Sequence, residues 1–174
     1  QVAHYSWDDN IPYDFLEDNL FLTENLLNLN YSKFIYISSI DQNKLTPYGI
    51  SKRLCEIMVK AKSKSHLIIR PSSLLGNYMR ENSFQKIVKG ENIGLSEDSV
   101  MNYILYEDVL ELIKNDSNGV VTIRAKEDIC LGDLSKLVKS KTKFGDYHFV
   151  IEKPSEAYKT ETTSKENIIK FLGL

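Results

Sequence analysis

Cysteine is scarce in this chain of 174 residues: Cys55 and Cys130 stand far apart and form no C-x-x-C pair. Neither a disulfide framework nor a zinc site is signalled, so both read as small core residues and no metal is expected. No stretch approaches the ~18 consecutive apolar residues of a membrane span. No basic segment followed by an apolar run opens the chain, and the cytoplasm is the expected compartment. An excess of one charge is also missing. The formal net charge is -2, with lysines scattered among acids, which gives none of the basic footprint that a phosphate-backbone binder needs and argues against nucleic acid as a partner. There is no internal repeat, low-complexity stretch or Pro/Gly/Ser-rich linker, so a single domain over residues 1–174 is expected. The eight glycines, at positions 49, 76, 90, 94, 119, 132, 145 and 173, offer no G-x-G-x-x-G or G-x-x-G-x-x-G turn for a dinucleotide pyrophosphate. The chain opens Gln1-Val2-Ala3-His4 without a methionine, as a trimmed tag, a processed product or a piece of a longer chain would.

What is present is the composition of a globular protein, 42% hydrophobic and 26% charged, arranged in alternating periods. From Asp14 to Asn28, Leu16, Leu20 and Leu27 form one helical stripe and Phe15, Leu22, Leu26 and Leu29 another, which predicts a helix covered on two sides. Phe34 to Ile37 reads as a buried parallel strand with Ser38 and Ser39 at its C-terminal end. Tyr48 to Lys62 has helical spacing, with Leu54, Met58 and Ala61 on one side and Pro47 just before it. His66 to Arg70 reads as a second buried strand, stopped at Pro71. Beyond it the pattern predicts helices at 83–89, 106–115 and 131–139, strands at 100–104 and 120–124, and an extended segment at 147–151. The capping box Thr163-Ser164-Lys165-Glu166 opens a last helix through Phe171. Strands alternating with helices predict an α/β fold with a parallel sheet.

The sharpest chemical signal is Tyr48 and Lys52, which a spacing of four puts on one helix face. Ten tyrosines and eighteen lysines give about one such pair by chance, so the spacing alone is weak. Context strengthens it. The strand ending in Ser38-Ser39 comes just before this helix, and in parallel sheets the strand C-termini face the ligand crevice. A hydroxyl, a phenol and an ammonium can converge there. Tyrosine normally titrates near ~10, and an ammonium nearby favours the phenolate, which suits proton transfer during oxidation of an alcohol or reduction of a carbonyl. Hydrolysis through Ser39 is a poor alternative, because His4, His66 and His148 show no local motif that places a base beside it.

Tyr48-Gly49-Ile50-Ser51-Lys52 resembles the Y-G-x-S-K of the extended short-chain dehydrogenase/reductases that act on sugar nucleotides, and the resemblance is colinear over the chain. His4-Tyr5-Ser6 is similar to the H-hydrophobe-A ending the family's fourth strand, and Pro12 through Leu20 to the stretch that follows it. Phe34 to Ser39 resembles the strand delivering the active-site Ser or Thr. Ile69-Arg70-Pro71 with Gly76 resembles R-x-x-N-x-x-G, Asn102-Tyr103-Ile104 with Glu107-Asp108-Val109 resembles D-Y-I-h-v-x-D-v, and Ile168 to Gly173 the closing helix.

The resemblance implies a partial Rossmann-like sheet over residues 1–76, with a small substrate-binding part, residues 77–174, interleaved with the last core elements. It implies NAD or NADP as cofactor and a nucleotide-sugar substrate in polysaccharide biosynthesis. Tyr48 becomes the general acid/base, Lys52 the residue that lowers its pKa and holds the nicotinamide ribose, and Ser39 the partner of the reacting oxygen, with Ser38 as fallback. Tyr5, Ser6, Ser38, Tyr48, Lys52 and Pro71 are implied on the cofactor side, Ser39 and Ser73 on the substrate side. A homodimer through helices 14–28 and 48–62 is implied as well. Three departures stand out. The family's first two strand-helix units, with their Gly-rich turn, have no counterpart before His4. Only eight residues separate Ser39 from Tyr48, and Ser73 and Met101 replace the usual Asn and a basic residue. The alternative expectation is a truncated or non-catalytic relative that serves as an interaction module.

Overall fold

The computed structural model describes residues 17–174. A π-helical turn, Glu17–Phe21, leads into α1 (Leu22–Leu27), and β1 (Phe34–Ile37) follows. A 3-10 turn, Ile40–Asn43, precedes α2 (Pro47–Lys62) and β2 (His66–Pro71). The chain continues through β3 (Ser73–Leu75), α3 (Ser83–Lys89), β4 (Val100–Met101), β5 (Tyr103–Leu105), α4 (Tyr106–Lys114) and β6 (Gly119–Arg124). It ends with β7 (Ile129–Cys130), α5 (Leu131–Leu137), β8 (Tyr158–Lys159) and α6 (Ser164–Leu172). These elements pack as two compact units. The first holds the stretch ending at Pro71 with Val109–Ile123 and Pro154–Ala157; the second holds Ser72–Asp108, Arg124–Lys153 and Tyr158–Leu174.

In the first unit β1, β2 and β6 run parallel, with Phe34 opposite His66 and Leu67 opposite Gly119. Leu67, Ile68 and Ile69 are fully buried, which fits a central strand covered on both faces and explains its unbroken apolar run. Leu27, Tyr36, Cys55, Val59 and Ile68 form the core beneath α1 and α2. The start of α2 is determined locally. The Thr46 side chain accepts from the Gly49 N–H at 3.1 Å and Pro47 occupies the first turn, where its missing N–H costs nothing. Gly49 is required there: a Cβ on it would overlap the Lys44 carbonyl oxygen and lie 2.9 Å from that of Asp41.

In the second unit β3 pairs with β5 in parallel and β4 with β7 antiparallel. The single strand expected over 100–104 is two short ones, because Asn102 between them turns its amide into a backbone surrogate. It accepts from Ala125 N–H at 2.8 Å and donates to Ala125 O, Glu127 O and Asp128. A fully buried amide must find such partners. Around it Phe84, Ile87, Tyr103, Leu105, Leu131, Leu134 and Ile168 make the core. The capping box that opens α6 is present in both directions, Thr163 to Glu166 and back. The helix expected to Lys139 stops at Leu137, with Lys139 at φ 53°. The segment expected to extend over 147–151 makes only two isolated bridges, at Tyr147 and Val150. Thr160, next to β8, donates to Arg124 O at the end of β6.

Candidate active site

Buried positions on α2 recur at Lys52, Cys55, Glu56 and Val59, a helical stripe interrupted by two charges. A charge on such a stripe needs a partner or a task. Of the apolar side read from sequence, Met58 packs against the core, but Leu54 is 43% exposed, and Ile50 and Ile57 near it are exposed too.

Lys52 is 5% exposed. Its Nζ donates to the carbonyl oxygen of Ile37, the last residue of β1, at 3.1 Å. It also lies 5.2 Å from the ring centre of Tyr36 and 5.7 Å from that of Tyr48, within the range of cation–π attraction. Burial pulls the ammonium down to about 8, with Cys55 and Glu56 acting the other way. Desolvation therefore outweighs the nearby negative charge, and Lys52 sits close to its own protonation midpoint near neutral pH. Burial pushes the Tyr36 phenol up, so that this ring stays neutral beneath the ammonium.

The two serines at the strand end differ in kind. The sheet ladder runs through Ser38, whose N–H bonds Ile69 O at 2.7 Å. Its hydroxyl donates to Glu56 Oε1 at 2.6 Å. Ser39 is the first residue past the ladder and caps the 3-10 turn, its hydroxyl accepting from Asp41 N–H at 3.2 Å. A hydroxyl that accepts one bond keeps its own hydrogen to donate.

Glu56, one turn beyond Lys52, also takes both arms of Arg70. Nε donates to Oε1 at 2.8 Å and Nη2 to Oε2 at 2.6 Å, a bidentate pair at the C-terminal end of β2. The Arg70 guanidinium is held further up by that bond. Tyr36 and Glu56 escaped the sequence reading, although Glu56 continues the four-residue spacing of Tyr48 and Lys52. Arg70 was legible only as part of a motif, yet a charge closing a strand of buried apolar residues already calls for a partner.

Tyr48, Lys52 and Ile37 are thus brought together, and Ser38 and Ser39 directly follow the same strand. Pro71 ends β2 in the first unit, whereas Ser73 belongs to the second, where its N–H bonds Asn102 O at 3.0 Å. Tyr5 and Ser6 lie outside the described residues. Among the described residues no helix is long and apolar enough to cross a membrane.

No protein-family model and no curated protein matches the chain. Solved structures do. The Bordetella bronchiseptica enzyme WbmG, in complex with NAD and UDP, matches with a TM-score of 0.74 at 16% identity, covering 99% of this chain and 69% of WbmG. UDP-N-acetylglucosamine 4-epimerase from Methanobrevibacter ruminantium M1, in complex with UDP-N-acetylmuramic acid, gives 0.69 at 16%, over 92% of this chain and 69% of its own. A dTDP-4-dehydrorhamnose reductase from Clostridium acetobutylicum gives 0.67 at 17%, over 89% and 71%. Over the part it shares with them, this chain has the fold of the nucleotide-sugar epimerases and reductases of the extended short-chain dehydrogenase kind.

Proposed function

We propose that the chain carries the proton-transfer site of an NAD(P)-dependent epimerase, dehydratase or reductase of a nucleotide-linked sugar. The observation that carries this reading is the Lys52 ammonium, buried against the Tyr48 and Tyr36 rings and tied to the end of β1. In the proposal the Tyr48 hydroxyl gives its proton to a sugar carbonyl oxygen, or takes one from a hydroxyl in the reverse sense. The positive charge of Lys52 stabilises the phenolate left behind. Ser39, first beyond the strand ladder, donates its remaining hydrogen to the same oxygen.

A bound nicotinamide dinucleotide would supply the hydride chemistry. The donor set suits its ribose: an ammonium has three N–H bonds and Ile37 takes one, which leaves donors for a diol beside Tyr48. Pro71, at the end of β2, is assigned to the cofactor side in this proposal. The site is proposed to work in a homodimer. Phe21, Leu22, Leu26 and Leu29 at α1, and Ile50, Leu54 and Ile57 on α2, are large apolar side chains left exposed in the first unit, the material of a protein interface.

The test is turnover of UDP- and dTDP-linked hexoses with NAD or NADP, read at the reduced nicotinamide or by sugar exchange. Activity that falls by about 10²–10⁴ in Tyr48→Phe is expected for loss of a general acid/base. Activity untouched by Tyr48→Phe would refute the assignment.

A further inference from the structure

Three elements supply the proposed site: the end of β1, the helix α2 and the end of β2. Each is bonded to one side chain. Ser38 donates to Glu56 from β1, Arg70 donates twice from β2, and Glu56 itself stands on α2 one turn from Lys52. Lys60 Nζ, 3.9 Å from Oε2, approaches from the solvent side. With a side chain only 2% exposed, Glu56 has no water to fall back on, and its partners saturate it. A carboxylate built in at this depth is costly to desolvate and would be replaceable by an apolar residue if packing were its only use.

We infer that Glu56 is a positioning residue. It holds the end of β1, the Tyr48–Lys52 helix and β2 in one frame and places a carboxylate one helical turn from Lys52. The groups facing Lys52 are Tyr36 and the Ile37 carbonyl from β1, and Tyr48, Cys55 and Glu56 from its own helix. Tyr36 stays neutral, Cys55 and Glu56 both act against the effect of burial, and of these two Glu56 is the carboxylate. The chemical meaning given to that balance rests on the proposed function, whereas the coupling between Glu56 and Lys52 does not.

The deciding experiment follows Lys52 alone, by NMR of its Cε in the full chain carrying labelled lysine, assigned by Lys52→Met and titrated without cofactor or sugar. In Glu56→Gln the acid dissociation constant of Lys52 should rise about tenfold, the size of one removed charge at short range in a partly screened site. Glu56→Asp, which keeps the charge, should restore most of the original midpoint. A folded Glu56→Gln chain with an unmoved Lys52 overturns the inference. Unfolding moves the midpoint the opposite way, towards ~10.4, so a misfolded variant is recognisable. In that case Arg70→Gln decides: with the opposing guanidinium gone and circular dichroism unchanged, Lys52 should titrate higher, and no shift overturns the inference. A positive titration with no turnover would reject the proposed function and leave this coupling standing.

Discussion

Lys52 concentrates the energetics of the site in one side chain. Its folded midpoint, about 8, lies below the ~10.4 of an exposed lysine, so at pH 7 the fold carries the cost of a desolvated ammonium. Between those two values the unfolded chain binds the extra proton, and stability must therefore rise with pH across that window. Lys52→Met removes that cost. The difference in unfolding free energy between wild type and Lys52→Met should shift in favour of wild type by about 3 kcal/mol from pH 7 to pH 10.5, read from urea midpoints. A difference flat in pH would mean that the ammonium is not desolvated. Tyr48 and Lys52 were legible because their spacing places them on one helix face and the strand ending in Ser38-Ser39 comes just before that helix. Glu56 was not, because nothing in a sequence says that a glutamate on a helix turns inward to meet an arginine fourteen residues on.

At the scale of elements, local chemistry was readable and pairing was not. The capping box at Thr163 appears as written, since both of its bonds form within four residues. Thr163→Ala should cost about 1 kcal/mol in denaturant stability, and no loss would show that α6 is held by packing alone. Gly49 gives the Y-G pair a physical reason. The first turn of α2 presses against the carbonyls of Asp41 and Lys44, so a methyl group there must push the turn bearing Tyr48 away. Gly49→Ala should destabilise by about 1–3 kcal/mol and lower turnover beyond its effect on folding; a stable, fully active variant would contradict that geometry. The division of 100–104 into two strands depended on the long-range bonds of Asn102, which no local pattern encodes.

The α/β class with a parallel sheet followed from apolar runs bounded by turns and alternating with helices, whereas the order β1, β2, β6 is seen only in the structure. Which helix face is covered did not follow. Apolar stripes on α1 and α2 look alike in sequence, yet Leu27 is buried while Leu22, Leu26, Leu54 and Ile57 are exposed. The proposed homodimer would cover them. Wild-type chain should sediment as a dimer at micromolar concentration and Leu54→Glu/Ile57→Glu as a monomer; a wild-type monomer would leave those stripes to another partner. The whole molecule's claim to cofactor chemistry is tested most directly by titrating NADH, with nicotinamide fluorescence as readout, into wild type, Tyr48→Phe and Lys52→Met. Saturable binding by wild type and Tyr48→Phe, weakened at least about tenfold in Lys52→Met, is the predicted result. No saturation of wild type at millimolar NADH would contradict the enzyme reading and favour a role in assembly.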